Sequence, residues 1–217
     1  SGFDESLCGT YYLGMYLKKT TCFGSVKLTV EKAAPESGAT YKTTTILEMK
    51  FGAQIRKQKE LAYLDDKFSL VRFEDEESMT DEETKETKTA RYTKKEGRWV
   101  ATYTYNGKVG SASIEATGPN YGHVQSQFLL MKKLKLAEPG TFSLPAIQWP
   151  SANEIVGVET PPVPSMEKIT IKWDGETVSH THRGEKKEVY KIAVTEADDF
   201  TTWNLSSANA IYSIEFK

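Results

Sequence analysis

Runs of alternating apolar and polar residues recur along this chain and leave it few architectures. Val26, Leu28 and Val30 alternate with Lys27, Thr29 and Glu31, and Leu47, Met49 and Phe51 with Glu48 and Lys50. Tyr190, Ile192 and Val194 alternate with Lys191 and Thr195, and Tyr212, Ile214 and Phe216 with Ser213 and Glu215. Side chains of a strand point alternately to opposite faces, so each run describes a strand with one buried and one solvated face. Strands of that kind belong to antiparallel sheets. The expected fold is therefore mostly β, a large antiparallel curved sheet or half-barrel. A chain of 217 residues suits one such domain, here 1–217, with 1–9 as a looser N-terminal segment.

Turn chemistry sets registers. Asn106-Gly107 and Asp174-Gly175 are dipeptides that two-residue hairpins favour, because both positions need positive φ. The first predicts Tyr105 opposite Lys108, Tyr103 opposite Gly110, Ala101 opposite Ala112 and Trp99 opposite Ile114. Trp99, Tyr103, Ala112 and Ile114 then share a face. The second predicts His180 opposite Ile169, at the rim of the core. Glu74–Lys88 reads as a long solvated hairpin, and the proline-rich stretch Glu159–Pro164 as a connection that supplies few ladder donors.

One segment departs from the period of two. Val124, Phe128, Met131 and Leu134 recur at helical spacing, Asn120 offers a cap, and Pro139-Gly140 stops the run. The spacing predicts one central amphipathic helix over about 120–136, its stripe turned into the concave side of the sheet.

Composition excludes several functions. The net charge of -2 gives no basic field for nucleic acid or an anionic membrane surface. No apolar run approaches the ~18 residues of a spanning helix. Two cysteines, Cys8 and Cys22, are too few for a disulfide scaffold or a zinc cluster. A turn near Lys18–Lys19 would set Cys22 opposite a residue close to Met15, so inert thiols are expected ahead of a Cys8–Cys22 bridge.

Candidate chemistry is sparse. His180 and His182 lie two apart and form the one metal-like pair, but a zinc site needs further ligands and only Glu185 is near in sequence. The acidic runs 75–77 and 81–83 lack the glycine that a calcium loop turns on. No Gly-x-Ser-x-Gly elbow or phosphate-cradling glycine loop occurs. The expectation is a protein that is not an enzyme and holds no cofactor.

The order of segments resembles a known family. Thr10-Tyr11-Tyr12-Leu13-Gly14-Met15-Tyr16-Leu17 with Phe23-Gly24-Ser25 resembles an opening hairpin. Leu61-Ala62-Tyr63-Leu64-Asp65 with Phe68-Ser69-Leu70 and Phe73 resembles a later strand pair. The hairpin at 106–107, a Leu-rich helix, Leu136–Pro145 and Thr202-Trp203 complete the order. Together they look like the β-rich domain of bacterial exported proteins found ahead of transglutaminase-like cores, similar in layout to lipoprotein-carrier half-barrels of the LolA/LolB type. The resemblance implies an incomplete barrel around a helix, a periplasmic or otherwise exported setting, and any catalytic core in a separate domain. An opening on Ser1-Gly2 fits a processed chain or a cloning scar.

Two roles follow as expectations. One is a non-catalytic module that holds a lipid or other apolar ligand against Val124, Phe128, Met131, Leu134, Trp99 and Tyr103. The other is an envelope protein-interaction domain whose helix plugs the barrel. A third, metal-dependent hydrolysis at His180 and His182, ranks below both. Empty apolar volume between helix and sheet separates the first from the second.

Overall fold

The computed structural model describes residues 2–17, 21–182, 184–196, 199–208 and 210–216. The chain is mostly strand. In order, the elements are β1 (Gly9–Leu17), β2 (Thr21–Lys32), β3 (Tyr41–Phe51), β4 (Gln54–Leu64), β5 (Leu70–Thr80), β6 (Lys85–Lys95), β7 (Arg98–Tyr105) and β8 (Lys108–Glu115). The helix α1 (Val124–Met131) follows, then β9 (Gly140–Gln148), α2 (Ala152–Ile155), β10 (Ser165–Trp173), β11 (Thr177–His182), β12 (Glu185–Glu196), β13 (Asp199–Leu205) and β14 (Ile211–Phe216).

All fourteen strands form one open sheet in the order β8-β7-β6-β5-β4-β3-β2-β1-β14-β13-β12-β10-β9, with β11 on β12. It consists of two antiparallel meanders joined by their first and last strands. The join is the parallel pair β1–β14, Gly14 opposite Ser213 through Leu17 opposite Phe216. The expected large antiparallel sheet is thus present, with this one parallel ladder at its centre.

The hairpin at Asn106-Gly107 has the register its turn chemistry requires, Tyr105 opposite Lys108 and Trp99 opposite Ile114. Both turn residues have positive φ, 47° and 82°. Glu74–Lys88 lies on the β5–β6 hairpin, which turns at Asp81–Thr84. Asp174-Gly175 behaves differently. The strand after it does not fold back on β10; β10 and β11 both pair with β12, Lys172 opposite Ala193 and Thr177 opposite Tyr190. They act as one long partner interrupted at 174–176, so His180 opposes Lys187 and not Ile169. Ile169 already sits between Leu144 of β9 and Glu196 of β12, which leaves no edge for a hairpin.

The helix is shorter than its spacing predicts. It spans Val124–Met131 after a His123 cap, and residues 120–122 are held against β9 instead. The Asn120 Oδ1 accepts from the backbone N–H of Gly122 (3.0 Å) and Ile147 (3.1 Å), and the Tyr121 N–H donates to the Pro145 carbonyl. Beyond Met131 the chain tightens into turns, with Lys133 and Leu134 N–H donating to the carbonyls three residues back. Nor is the helix amphipathic. Gln125, Ser126, Gln127, Phe128, Leu129 and Met131 are all buried, while Val124 is exposed, because the sheet and its connections surround most of α1.

The N-terminal segment packs on the sheet: Leu7 is buried, the Phe3 ring lies 5.5 Å from Tyr41, and the Asp4 N–H donates to the Tyr41 hydroxyl. Cys8 is a free thiol whose pKa burial raises, and Cys22 pairs by backbone with Tyr16. The turn expected near Lys18–Lys19 lies outside the described residues.

Candidate functional site

The two halves of the concave side are filled differently. Across β5–β8 the inward residues are aromatic. Phe73 stacks on Tyr92, Tyr92 stacks on Trp149, and the His123 ring lies 4.2 Å from Phe73 and 5.7 Å from Tyr92. Trp99, Ala101 and Tyr103 are sealed beneath. The helix α2 roofs this end, since Gly110 has no side chain: a Cβ there would stand 2.9 Å from Ile155. Enclosure in apolar rings costs the imidazolium its hydration, which holds His123 down to about 4.

The other half is not filled. Between α1 and the strands β1–β4 and β12–β14 lies a cavity of about 390 Å³. Its walls are mostly medium-sized aliphatic side chains, among them Leu13, Val26, Leu28 and Ile214, with Phe128 from the helix and Trp203 from β13. The strand period puts these residues there, every second position of each strand. Volumes of ~300–1,000 Å³ are typical of small-molecule sites.

One corner of the cavity is polar, formed by Thr45, Gln58 and Glu60. Cross-strand register creates it: Leu28 opposes Thr45, Thr45 opposes Glu60, and Glu60 opposes Asp75. Two carboxylates directly opposite on one face repel. The Gln58 amide donates to both, at 3.3 Å to Glu60 and 3.0 Å to Asp75. From the helix, Gln125 Nε2 donates to Thr45 Oγ1 at 2.8 Å and to Glu60 Oε2 at 2.5 Å. The nearby cations serve another acid, Arg56 lying 2.8 Å and Lys88 3.7 Å from Glu77. Desolvation, with the Asp75 charge second, raises Glu60 to about 7. Asp75 rises to about 6, again mainly by desolvation.

Of the sequence candidates, Val124 and Phe128 border this cavity. Met131 is packed in the core and Leu134 lies half-buried against it. Trp99 and Tyr103 sit in the aromatic half. Sequence reasoning missed Glu60 and Gln58, whose signal was a polar pair on the strand face that continues into Ala62 and Leu64.

His180 faces elsewhere. Its ring lies on the opposite side of β13–β14 from the cavity, with Nε2 3.4 Å from Ser213 Oγ and Nδ1 3.7 Å from Glu215 Oε1. Those three types occur in acyl-transfer triads. Here Ser213 is fully buried and Asn204 Nδ2 donates to both Ser213 (3.1 Å) and Glu215 (2.9 Å), so no substrate carbonyl reaches the hydroxyl. Burial outweighs the Glu215 charge and lowers the His180 pKa. The side chain of His182 is outside the described residues, and among those described no three His, Cys, Asp or Glu side chains converge as a metal site. Among the described residues no helix is long and apolar enough to cross a membrane.

Neither a protein-family model, nor a curated protein, nor a solved structure matches the chain.

Proposed function

We propose that this chain is a non-catalytic binding module that holds a lipid-like or other apolar small molecule between α1 and the concave face of the sheet. The cavity of about 390 Å³ carries this reading. A void lined by aliphatic side chains forfeits the dispersion contacts its walls would otherwise make, and an apolar guest restores them. Size suits a single chain rather than a multi-chain lipid. An exported setting belongs to the same proposal and rests on the half-barrel resemblance.

Two measurements test it. Native mass spectrometry of the protein purified from its source without detergent is expected to show a co-purifying apolar adduct. Titration with the neutral fluorophore N-phenyl-1-naphthylamine is expected to give saturable binding at one site. A bare mass together with no saturable fluorescence would remove the reading.

A second reading, a protein-interaction domain, draws support from an open end of the sheet. Among the described residues the outer edge of β8 has no neighbouring strand in the sheet order, whereas residues 120–121 already bond to β9, and an edge such as that of β8 accepts a strand from a partner. An envelope-fraction pull-down with the purified protein tests it; retrieval of nothing specific would count against it.

A further inference from the structure

The polar corner narrows the chemistry of the guest, an argument that rests on the apolar-ligand reading above. Among the described residues that line the cavity, Glu60 on β4 supplies a carboxylate to the polar corner, and none is a lysine, arginine or histidine. Arg56, whose charge acts on Glu60, is engaged by Glu77, as is Lys88. Glu60 receives two amide donors, from Gln58 and Gln125, and faces the like charge of Asp75 across the ladder. The same Gln125 amide keeps its Oε1 buried with no hydrogen-bond partner. A group that brings hydrogen-bond donors and positive charge is the one the corner lacks. A carboxylate or phosphate head would add a third negative charge to a poorly solvated acidic pair.

We propose that the cavity selects cationic amphiphiles, single-chain primary amines above all, with the hydrocarbon along Leu13, Leu28 and Phe128 and the ammonium donating to Glu60. The raised proton affinity of Glu60 fits this assignment, because its carboxylate lacks countercharge in the corner and an ammonium guest supplies it. Fatty acids are then the disfavoured class despite an equally suitable tail.

Displacement of N-phenyl-1-naphthylamine by decylamine, decanol and decanoate at pH 7.5 tests the assignment on the wild-type chain. Decylamine is expected to displace the probe at a concentration at least tenfold below decanol, with decanoate weakest. Glu60→Gln is expected to bring decylamine to within about twofold of decanol, circular dichroism verifying the fold. A decylamine advantage that survives Glu60→Gln would overturn the role of Glu60. Decylamine no tighter than decanol, or decanoate tightest, would overturn the selectivity while the apolar reading stands. If neither the probe nor any of the three binds, the apolar reading fails, and the selectivity with it.

Discussion

The aromatic half of the concave side and the cavity half are made by the same ladders, yet one is closed and the other is not. In the closed half large rings interleave with small residues that make room for them: Phe73, Tyr92, Trp99 and Tyr103 around Ala90 and Ala101. In the open half the inward residues include Leu13, Val26, Leu28 and Leu47, and α1 offers Val124, Gln127 and Phe128 against them. A curved sheet leaves a broad trough, and aliphatic side chains of that size do not reach its middle. Two conflicts with stability coincide there, an unfilled volume and a facing pair of acids. Local departures from good packing and good electrostatics gather at functional sites; the departures of the closed half are of another kind, buried and unpaired ring nitrogens at Trp99, Trp149 and His123.

The largest expected difference between the halves is in truncation. Trp99→Ala removes a fully buried ring from dense packing and should cost ~3–5 kcal/mol in urea unfolding. Leu28→Ala on the cavity wall removes atoms that already face empty space, and should cost ~2 kcal/mol, the low end of the range for such changes. Equal costs would mean that the two halves are packed alike.

Enlargement should show the reverse. Ala101→Leu forces extra volume into the closed half and is expected to destabilise by ~1–3 kcal/mol. Leu28→Phe grows into the void, should change stability by less than ~1 kcal/mol, and should abolish fluorophore binding. Undiminished binding by a folded Leu28→Phe would place the probe somewhere else.

The halves also titrate in opposite senses. Glu60 has a folded pKa of about 7 against an ordinary 4.5, so between these values the folded chain keeps a proton that the unfolded chain has lost. Its contribution is present below pH 4.5 and declines as pH rises towards 7. His123, at about 4 against 6.5, contributes above pH 6.5 and loses this as pH falls towards 4. Glu60→Gln should therefore raise stability at pH 8 by ~1–2 kcal/mol and flatten the loss between pH 5 and 7. His123→Phe should remove the acid-side loss, by ~1 kcal/mol at pH 5. Melting temperatures across pH 4.5–8 for the three proteins check both signs; a shared sign would contradict the burial of one of the two groups.

Much of this fold is legible in the sequence because its strands obey local rules. The Asn106-Gly107 hairpin follows from two residues that tolerate positive φ, and its register from a period of two. The rest needed tertiary information. Asp174-Gly175 carries the same turn signal, but β12 occupies the edge a hairpin would use. Asn120 resembles a helix cap, yet its side chain bonds across to Ile147 on β9. Val124 and Phe128 were found through their spacing, whereas Glu60 was not, because β4 alternates between two largely polar faces over Gln54–Glu60. Only the pairing of β4 with β3 and β5 shows which face turns inward.

The open volume is the claim on which the rest depends, and diffraction from xenon-pressurised crystals tests it most directly. Xenon enters dry apolar cavities and makes no demand on polar partners. The account predicts ordered xenon between Phe128 and the Leu13–Leu28 wall, displaced in crystals soaked with decanol. Side chains of α1 packed directly onto that wall, with no xenon beside Phe128, would contradict it.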